Sequence, residues 1–341
     1  MAYTARRGTG WHAIIDGSVV GGPYEGFARG GILFSPDSRR FGYIAKRDDS
    51  WFVVVDGQEH NYFPMILHQS LTFSPDSRKI SYISAVSGKW QGYKFVGEVT
   101  VIIDRTHLET WQHDQTTEND GLFEEITFSP DSSRLAYTGI RKGRCFVIVD
   151  ETMQGEYDGF VSGWLGNQIC QKLPDYGLTG SNSKTIVFSP DSRHIAYAVN
   201  DKSQHIFVVD GKEKARHAAI LNQPPCFSAD SKHLAYGIEE NGKHSIVLDG
   251  QIMRTYEGLP PNECSFSPNS TMFAYAAWEG RGDCHALVIG NDILRLDGGF
   301  LLGARIIWDD NSHLHSLIAA DRKIKRLQVV VDSSGKPKIA S

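Results

Sequence analysis

Residues 188–211 read FSPDSRHIAYAVNDKSQHIFVVDG, and this stretch decides the fold. It opens on Phe188-Ser189-Pro190-Asp191-Ser192, in which Pro fixes φ for a turn and Asp can bond its own backbone. Residues 194–199 then alternate in strand fashion, with Ile195 and Tyr197 on one face and His194 and Ala196 on the other. A polar break at 200–204 leads into Ile206-Phe207-Val208-Val209, and Asp210-Gly211 supplies a two-residue hairpin signal. With the alternating run that enters at Thr185 and a short strand after Gly211, the unit has four strands, lettered a to d. Strand c lacks strict alternation here and at Val53-Val54-Val55, Val101-Ile102-Ile103 and Val147-Ile148-Val149. Such a run suits a strand buried on both faces.

The opening phrase recurs intact at Phe34, Phe73 and Phe128, and worn at Phe227 (Ala229 for Pro) and Phe266 (Asn269 for Asp). A decayed copy starts at Trp308. Nine residues after the first six phenylalanines stand Tyr43, Tyr82, Tyr137, Tyr197, Tyr236 and Tyr275. A spacing of 39 residues, at 34→73, 188→227 and 227→266, marks an array of like units. Four-stranded antiparallel sheets covered on both sides and repeated along the chain predict an all-β, single β-propeller over residues 1–341. A β-solenoid has shorter coils without three hairpin turns per unit.

The phrase Phe-Ser-Pro-Asp-Ser followed by Ala-Tyr resembles the WD-repeat-like units of TolB-type propellers. It is also similar to the propellers attached to prolyl-oligopeptidase-like peptidases. The Gly-His and Trp-Asp signatures of true WD repeats are absent, so their side-chain network is not implied. The resemblance spans nearly the whole chain and implies fold. Function it leaves open, because this architecture hosts translocation factors, peptidase gates, lyases and scaffolds alike.

Seven a–b units predict seven blades. The N-terminus offers b, c and d without an a, and the C-terminus offers a, b and c, so strands from both termini are expected to close the last sheet. Eight blades, one incomplete, is the alternative count.

Departures from the repeat carry individuality. The spacing stretches to 55 and 60 residues after Phe73 and Phe128, through insertions near 87–96, 106–123 and 158–184. Strand alternation puts b–c and d–a connections at one end of the sheets, so all three insertions belong to one face. They hold Trp90, Tyr93, Trp111, His113 and Trp164. The residues three to five before each strand-a aromatic enter from the same face and mark a channel mouth. They include Arg29, His68, Glu125, Asn222, Glu263 and, before Trp308, Arg305. Aromatic area and nearby charge suit a ligand or partner site. The competing reading is that the tryptophans anchor long loops and the charges only meet solvent.

Catalytic motifs are absent: no Gly-x-Ser-x-Gly, no phosphate loop, no His-Glu-x-x-His. His205, His244 and His285 occupy matching repeat positions, and sheets ~10 Å apart cannot share one ion with ligands ~2 Å from it. No metal and no cofactor are expected. Two function classes follow. One is a non-catalytic binding propeller that recognises a protein or small molecule at the inserted face and channel mouth. The other is a lyase or hydrolase, with His68, His113, Glu125, Glu263 or Asp175 as acid–base groups and Arg29 and Arg305 holding an anion.

Net charge is −5 with both signs interspersed, against a general nucleic-acid binder. No run reaches the ~18 apolar residues of a spanning helix. The N-terminal residues lack the apolar core of a secretory signal. Five cysteines at irregular spacing read as free thiols in a reducing compartment, and hence a cytoplasmic protein.

Overall fold

The computed structural model describes residues 1–92, 94–114, 121–161, 186–221, 224–260, 264–280, 285–301, 304–321 and 323–340. Every regular element among them is a β-strand, and the fold is of the β-propeller class: a succession of antiparallel meander sheets. The described residues fall into two compact units, one ending at Asp158 and the other beginning at Gly159.

The first unit holds sheets one to four, spanning 2–24, 26–63, 72–114 and 121–157. The second holds sheets five to eight, spanning 159–217, 219–256, 264–295 and 299–339. Sheets among the described residues therefore number eight, the alternative count, and sheet one is the incomplete member. Its strands Ala2–Arg7, Gly10–Ile15 and Ser18–Tyr24 pair only with one another. Among the described residues the expected mixing of terminal strands is not found, and the C-terminal sheet has its own strand d. After Lys323–Val331 the chain turns at Asp332, whose carboxylate accepts the N–H groups of Ser334 and Lys336 at 3.0 and 3.1 Å. Pro337–Ile339 then returns as strand d.

Two insertions are sheet extensions. Residues 87–96 prolong strands Ile80–Gln91 and Lys94–Ile103 into a long hairpin, with a register shift between Ala85 and Ser87. Thr106–Asp114 is strand d of sheet three rather than a loop, since it pairs with strand c from Val96 to Ile103. The third insertion lies mostly outside the described residues.

The recurrent phrase is a hydrogen-bonded turn that also joins neighbouring sheets. In its first copy the Ser38 N–H donates to the Ser35 carbonyl at 2.8 Å, and Ser35 Oγ donates to Asp37 Oδ1 at 2.6 Å. Pro36 and Asp37 occupy the two central turn positions, and Ser38 follows at φ 60°. The Asp37 N–H is left over, and it donates to Ser77 Oγ of the next copy at 3.1 Å. Asp76 does the same to Ser132, Asp191 to Ser231 and Asp230 to Ser270, at 2.9 to 3.0 Å. In the worn copy Asn269 donates to Asn311 Oδ1 at 2.8 Å. Arg40 adds a second link, donating to the carbonyls of Ser77 and Arg78.

The hairpin aspartates do double duty as well. Asp56, Asp104, Asp150, Asp210 and Asp249 each accept, on Oδ1, the N–H of the first residue of strand b. Between these fastened ends lies the core. Tyr43, Tyr82, Tyr137, Tyr197, Tyr236 and Tyr275 are all buried, as are Phe52, Val53 and Val54 of one strand c.

Candidate functional site

Strand a is broken in most repeats, and the break is where the predicted mouth residues fall. In sheet two, Gly26–Phe27 pairs with the far end of strand b, Leu33–Phe34 with its start, and residues 28–32 lie between. Sheet eight repeats this with Gly299–Phe300 and Ile307–Trp308. In sheet three the far pairing is the bridge of Ile66 with Ser84, and Thr72–Phe73 resumes the strand. Sheet four shows a register shift between Leu122 and Ile126. The sequence carries the position of these breaks only as polar residues just before each strand-a aromatic.

Within the first unit the breaks bring Arg29 and His68 together. His68 sits half-buried with its ring 4.6 Å from that of Trp51. Burial, and then the Arg29 charge, hold its pKa below the usual histidine value, so the ring is neutral at pH 7. The backbone at Gly30, next to Arg29, approaches the His68 carbonyl closely enough that an added Cβ would lie 3.5 Å from it. Arg29 itself is exposed and makes no hydrogen bond or ion pair among the described residues.

The segment 64–70 that carries His68 is fastened to strand b of sheet three. The Leu67 N–H donates to the Ile83 carbonyl at 2.9 Å, and the Ala85 N–H to the Met65 carbonyl at 2.9 Å. Ser70 Oγ accepts the Ile83 N–H and donates to the Leu67 carbonyl. At the other end of that segment, Trp90 Nε1 donates to the Pro64 carbonyl at 3.4 Å. Trp90 stands edge-on to Phe95 and is 49% exposed. Arg29 and His68 thus meet at the strand-a break, with Trp51 against the His68 ring, and Trp90 is bonded to the other end of the segment that carries His68.

Trp111 is placed differently. It is 8% exposed and stacks on Phe146 at 4.5 Å, so its indole packs sheet three against sheet four. Arg305 is exposed in the strand-a break of the second unit. For His113 and Glu125 only the backbone is described, and Tyr93, Trp164, Asp175, Asn222 and Glu263 lie outside the described residues. The matching histidines have scaffold partners: His205 Nδ1 accepts the Ile220 N–H at 2.8 Å, and His244 Nδ1 the Leu259 N–H at 3.2 Å.

A second cluster, not foreseen, lies at the opposite end of sheets two and three. A cleft of about 450 Å³ is lined by Arg40, Asp56, His60, Ile80, Asp104 and Arg105. Arg40 is committed to Asp56 and to two backbone carbonyls. His60 Nδ1 is buried without a hydrogen-bond partner, and burial, then the Arg105 charge, lower its pKa. In the aligned repeats this position holds Val20, Leu108, Gln154, Lys214 and Met253, so His60 is its one histidine among these six sheets.

No protein-family model matches the chain, and no curated protein matches it in sequence. Among solved structures it is similar to a eukaryotic initiation factor at 13% identity and TM-score 0.43, covering 99% of this chain and 94% of that one. It is similar to TolB from Acinetobacter baumannii at 16% identity and TM-score 0.31, covering 82% and 65%. The β-propeller domain of the trilobed protease from Pyrococcus furiosus gives 12% identity and TM-score 0.35, covering 92% and 98%. At such identities and scores nothing about ligand or activity passes to this chain.

Proposed function

We propose that the chain is a non-catalytic binding propeller that recognises a protein or small-molecule ligand at its inserted face, and that the ligand presents an anionic group there. The observation that carries this reading is Arg29: an exposed guanidinium without a carboxylate partner, beside a neutral imidazole that rests on Trp51. A guanidinium so placed offers paired donors to a carboxylate or phosphate, and the nearby exposed indole of Trp90 offers contact area. Arg305, in the equivalent break of the second unit, supplies the same chemistry. A cytoplasmic location belongs to this reading.

The lyase or hydrolase alternative draws on one specific feature, the burial that keeps His68 neutral and able to accept a proton. Turnover of a bound ligand would favour it.

The test is a thermal-shift screen of carboxylates, phosphates and acidic peptides on the protein and on Arg29→Ala. A ligand that raises the melting temperature of the parent and not of Arg29→Ala supports the proposal. Shifts of equal size in both proteins would refute it.

A further inference from the structure

Three departures from the repeat meet at one place, the cleft of about 450 Å³ at the turn end of sheets two and three. The first is Asp104. In four other sheets Oδ2 of the hairpin aspartate holds the basic side chain that precedes strand b. Arg40 sits on Asp56, Arg134 on Asp150, His194 on Asp210 and His233 on Asp249, at 2.7 to 2.8 Å. In sheet three that basic residue is Lys79, and its ammonium donates instead to the Ser132 carbonyl of sheet four at 2.9 Å. Asp104 keeps the Ile80 N–H on Oδ1, while its Oδ2 has no basic partner among the described residues.

Arg105 is the second departure. The hairpin position after the aspartate is glycine at Gly17, Gly57, Gly211 and Gly250. In sheet three it is an arginine that is exposed, lines the cleft, and makes no hydrogen bond or ion pair among the described residues. The third is His60, which walls the cleft from sheet two where five other sheets carry no histidine. Burial, then the Arg105 charge, lower its pKa, so the ring is neutral at pH 7.

Arg40 and Asp56, the other charged residues of the lining, are paired with each other. The cleft therefore presents one uncommitted charge of each sign, on adjacent residues, beside an apolar wall from Val55 and Ile80. A simple carboxylate would meet Arg105 and face Asp104, and a simple amine would meet the reverse. A ligand that carries both charges on neighbouring atoms satisfies both residues.

From this coincidence we infer that the cleft binds a free α-amino acid with an apolar side chain. Its carboxylate takes the paired donors of the Arg105 guanidinium, and its ammonium donates to Asp104 Oδ2. Its side chain packs against Val55, Ile80 and the His60 ring. The volume lies in the ~300–1,000 Å³ range of small-molecule sites. This site is separate from the Arg29 surface and stands whether or not that surface binds an anion.

Calorimetric titration of leucine, and of phenylalanine, into the full chain is the test. Saturable 1:1 binding is expected for at least one of them. N-acetyl-leucine, which lacks the ammonium, and leucinamide, which lacks the carboxylate, should bind at least about tenfold more weakly than leucine. Arg105→Gly restores the residue of the other hairpins, and Asp104→Asn keeps an oxygen for the Ile80 N–H. Each should weaken binding at least about tenfold with circular dichroism unchanged, and Arg29→Ala should bind fully. Lack of binding of either amino acid at millimolar concentration would overturn the inference. So would equal binding of the acetylated or amidated form, or unchanged affinity in Arg105→Gly or Asp104→Asn. Affinity lost in Arg29→Ala and kept in Arg105→Gly would move the amino acid to the Arg29 surface, overturning this site while leaving that one standing.

Discussion

The Asp37 N–H donates across to the Ser77 hydroxyl at 3.1 Å, and this bond recurs from sheet to sheet in both units. The phrase that betrays the repeat is therefore a fastener. Its Ser-Pro-Asp core builds the turn, its second serine receives the neighbour, and the spacing along the chain follows from the need to present both to adjacent sheets.

Ser77→Ala should lose about 1 to 3 kcal/mol, because the Asp37 N–H is left partly buried without an acceptor. Ser77→Gly should lose less, since Ser77 sits at φ 65° and glycine adopts that conformation freely. Urea unfolding measures both. An unchanged midpoint for Ser77→Ala would remove the fastener from the account.

Equivalent phenylalanines should not be equivalent in energy. Phe188→Ala is expected to cost about 3 to 5 kcal/mol and Phe34→Ala under about 1, following their 6% and 41% exposure. Trp111→Ala should behave like Phe188→Ala, as a loss of stability. Equal losses at Phe34 and Phe188 would contradict the difference in their burial.

Much of this was legible in the residues. Repeat spacing, the Asp-Gly hairpins and the apolar strand c lead directly to meander sheets, because local turn chemistry and period-two alternation decide those features. The incomplete first sheet was also visible, as strands b, c and d without an a. What was hidden depends on contacts between distant residues. Nothing local in Asp37 or Ser77 announces their bond, 40 positions apart. Thr106–Asp114 read as loop because its polar residues alternate weakly, and pairing with Lys94–Ile103 made it a strand. The C-terminus showed only a, b and c in the residues, and pairing with Lys323–Val331 made Pro337–Ile339 strand d. Of the candidate site, Arg29 and His68 were found from their place before strand a, but their proximity comes from the strand-a breaks. Trp111 looked like a ligand contact until its strand assignment turned it onto Phe146.

Acid should weaken the fold in two windows. His60, His68 and His205 have pKa values below the ordinary 6.5, each chiefly through burial. The unfolded chain takes up their protons first, so stability falls as pH drops below about 6.5 and levels off once the folded rings titrate. The turn carboxylates Asp37, Asp76, Asp191 and Asp230 lie below 3.8, led by their serine hydrogen bonds, with Asp230 near 2. Their contribution is present above 3.8 and is lost as pH falls through the folded values. Urea midpoints between pH 7.5 and 3 should show both losses, and His60→Leu should shrink the first. A flat profile from pH 7.5 to 5 would contradict it.

Cys145, Cys226 and Cys264 are free thiols among the described residues. Unfolding midpoints should therefore agree with and without reductant, and thiol titration of the denatured chain should count five. A midpoint that drops on reduction would reveal a disulfide involving Cys170 or Cys284.

The central claim is that recognition resides at Arg29, His68 and Trp90. The direct measurement is calorimetric titration of one ligand from the thermal-shift screen into the parent protein, Arg29→Ala, Trp90→Ala and Gln58→Ala. Gln58 is exposed at the turn end of sheet two, away from the strand-a break. The account predicts at least about a tenfold loss of affinity for Arg29→Ala and Trp90→Ala, or about 1.4 kcal/mol each, and none for Gln58→Ala. Lost affinity in Gln58→Ala with full binding in the other two would place recognition at the turn end and contradict the account.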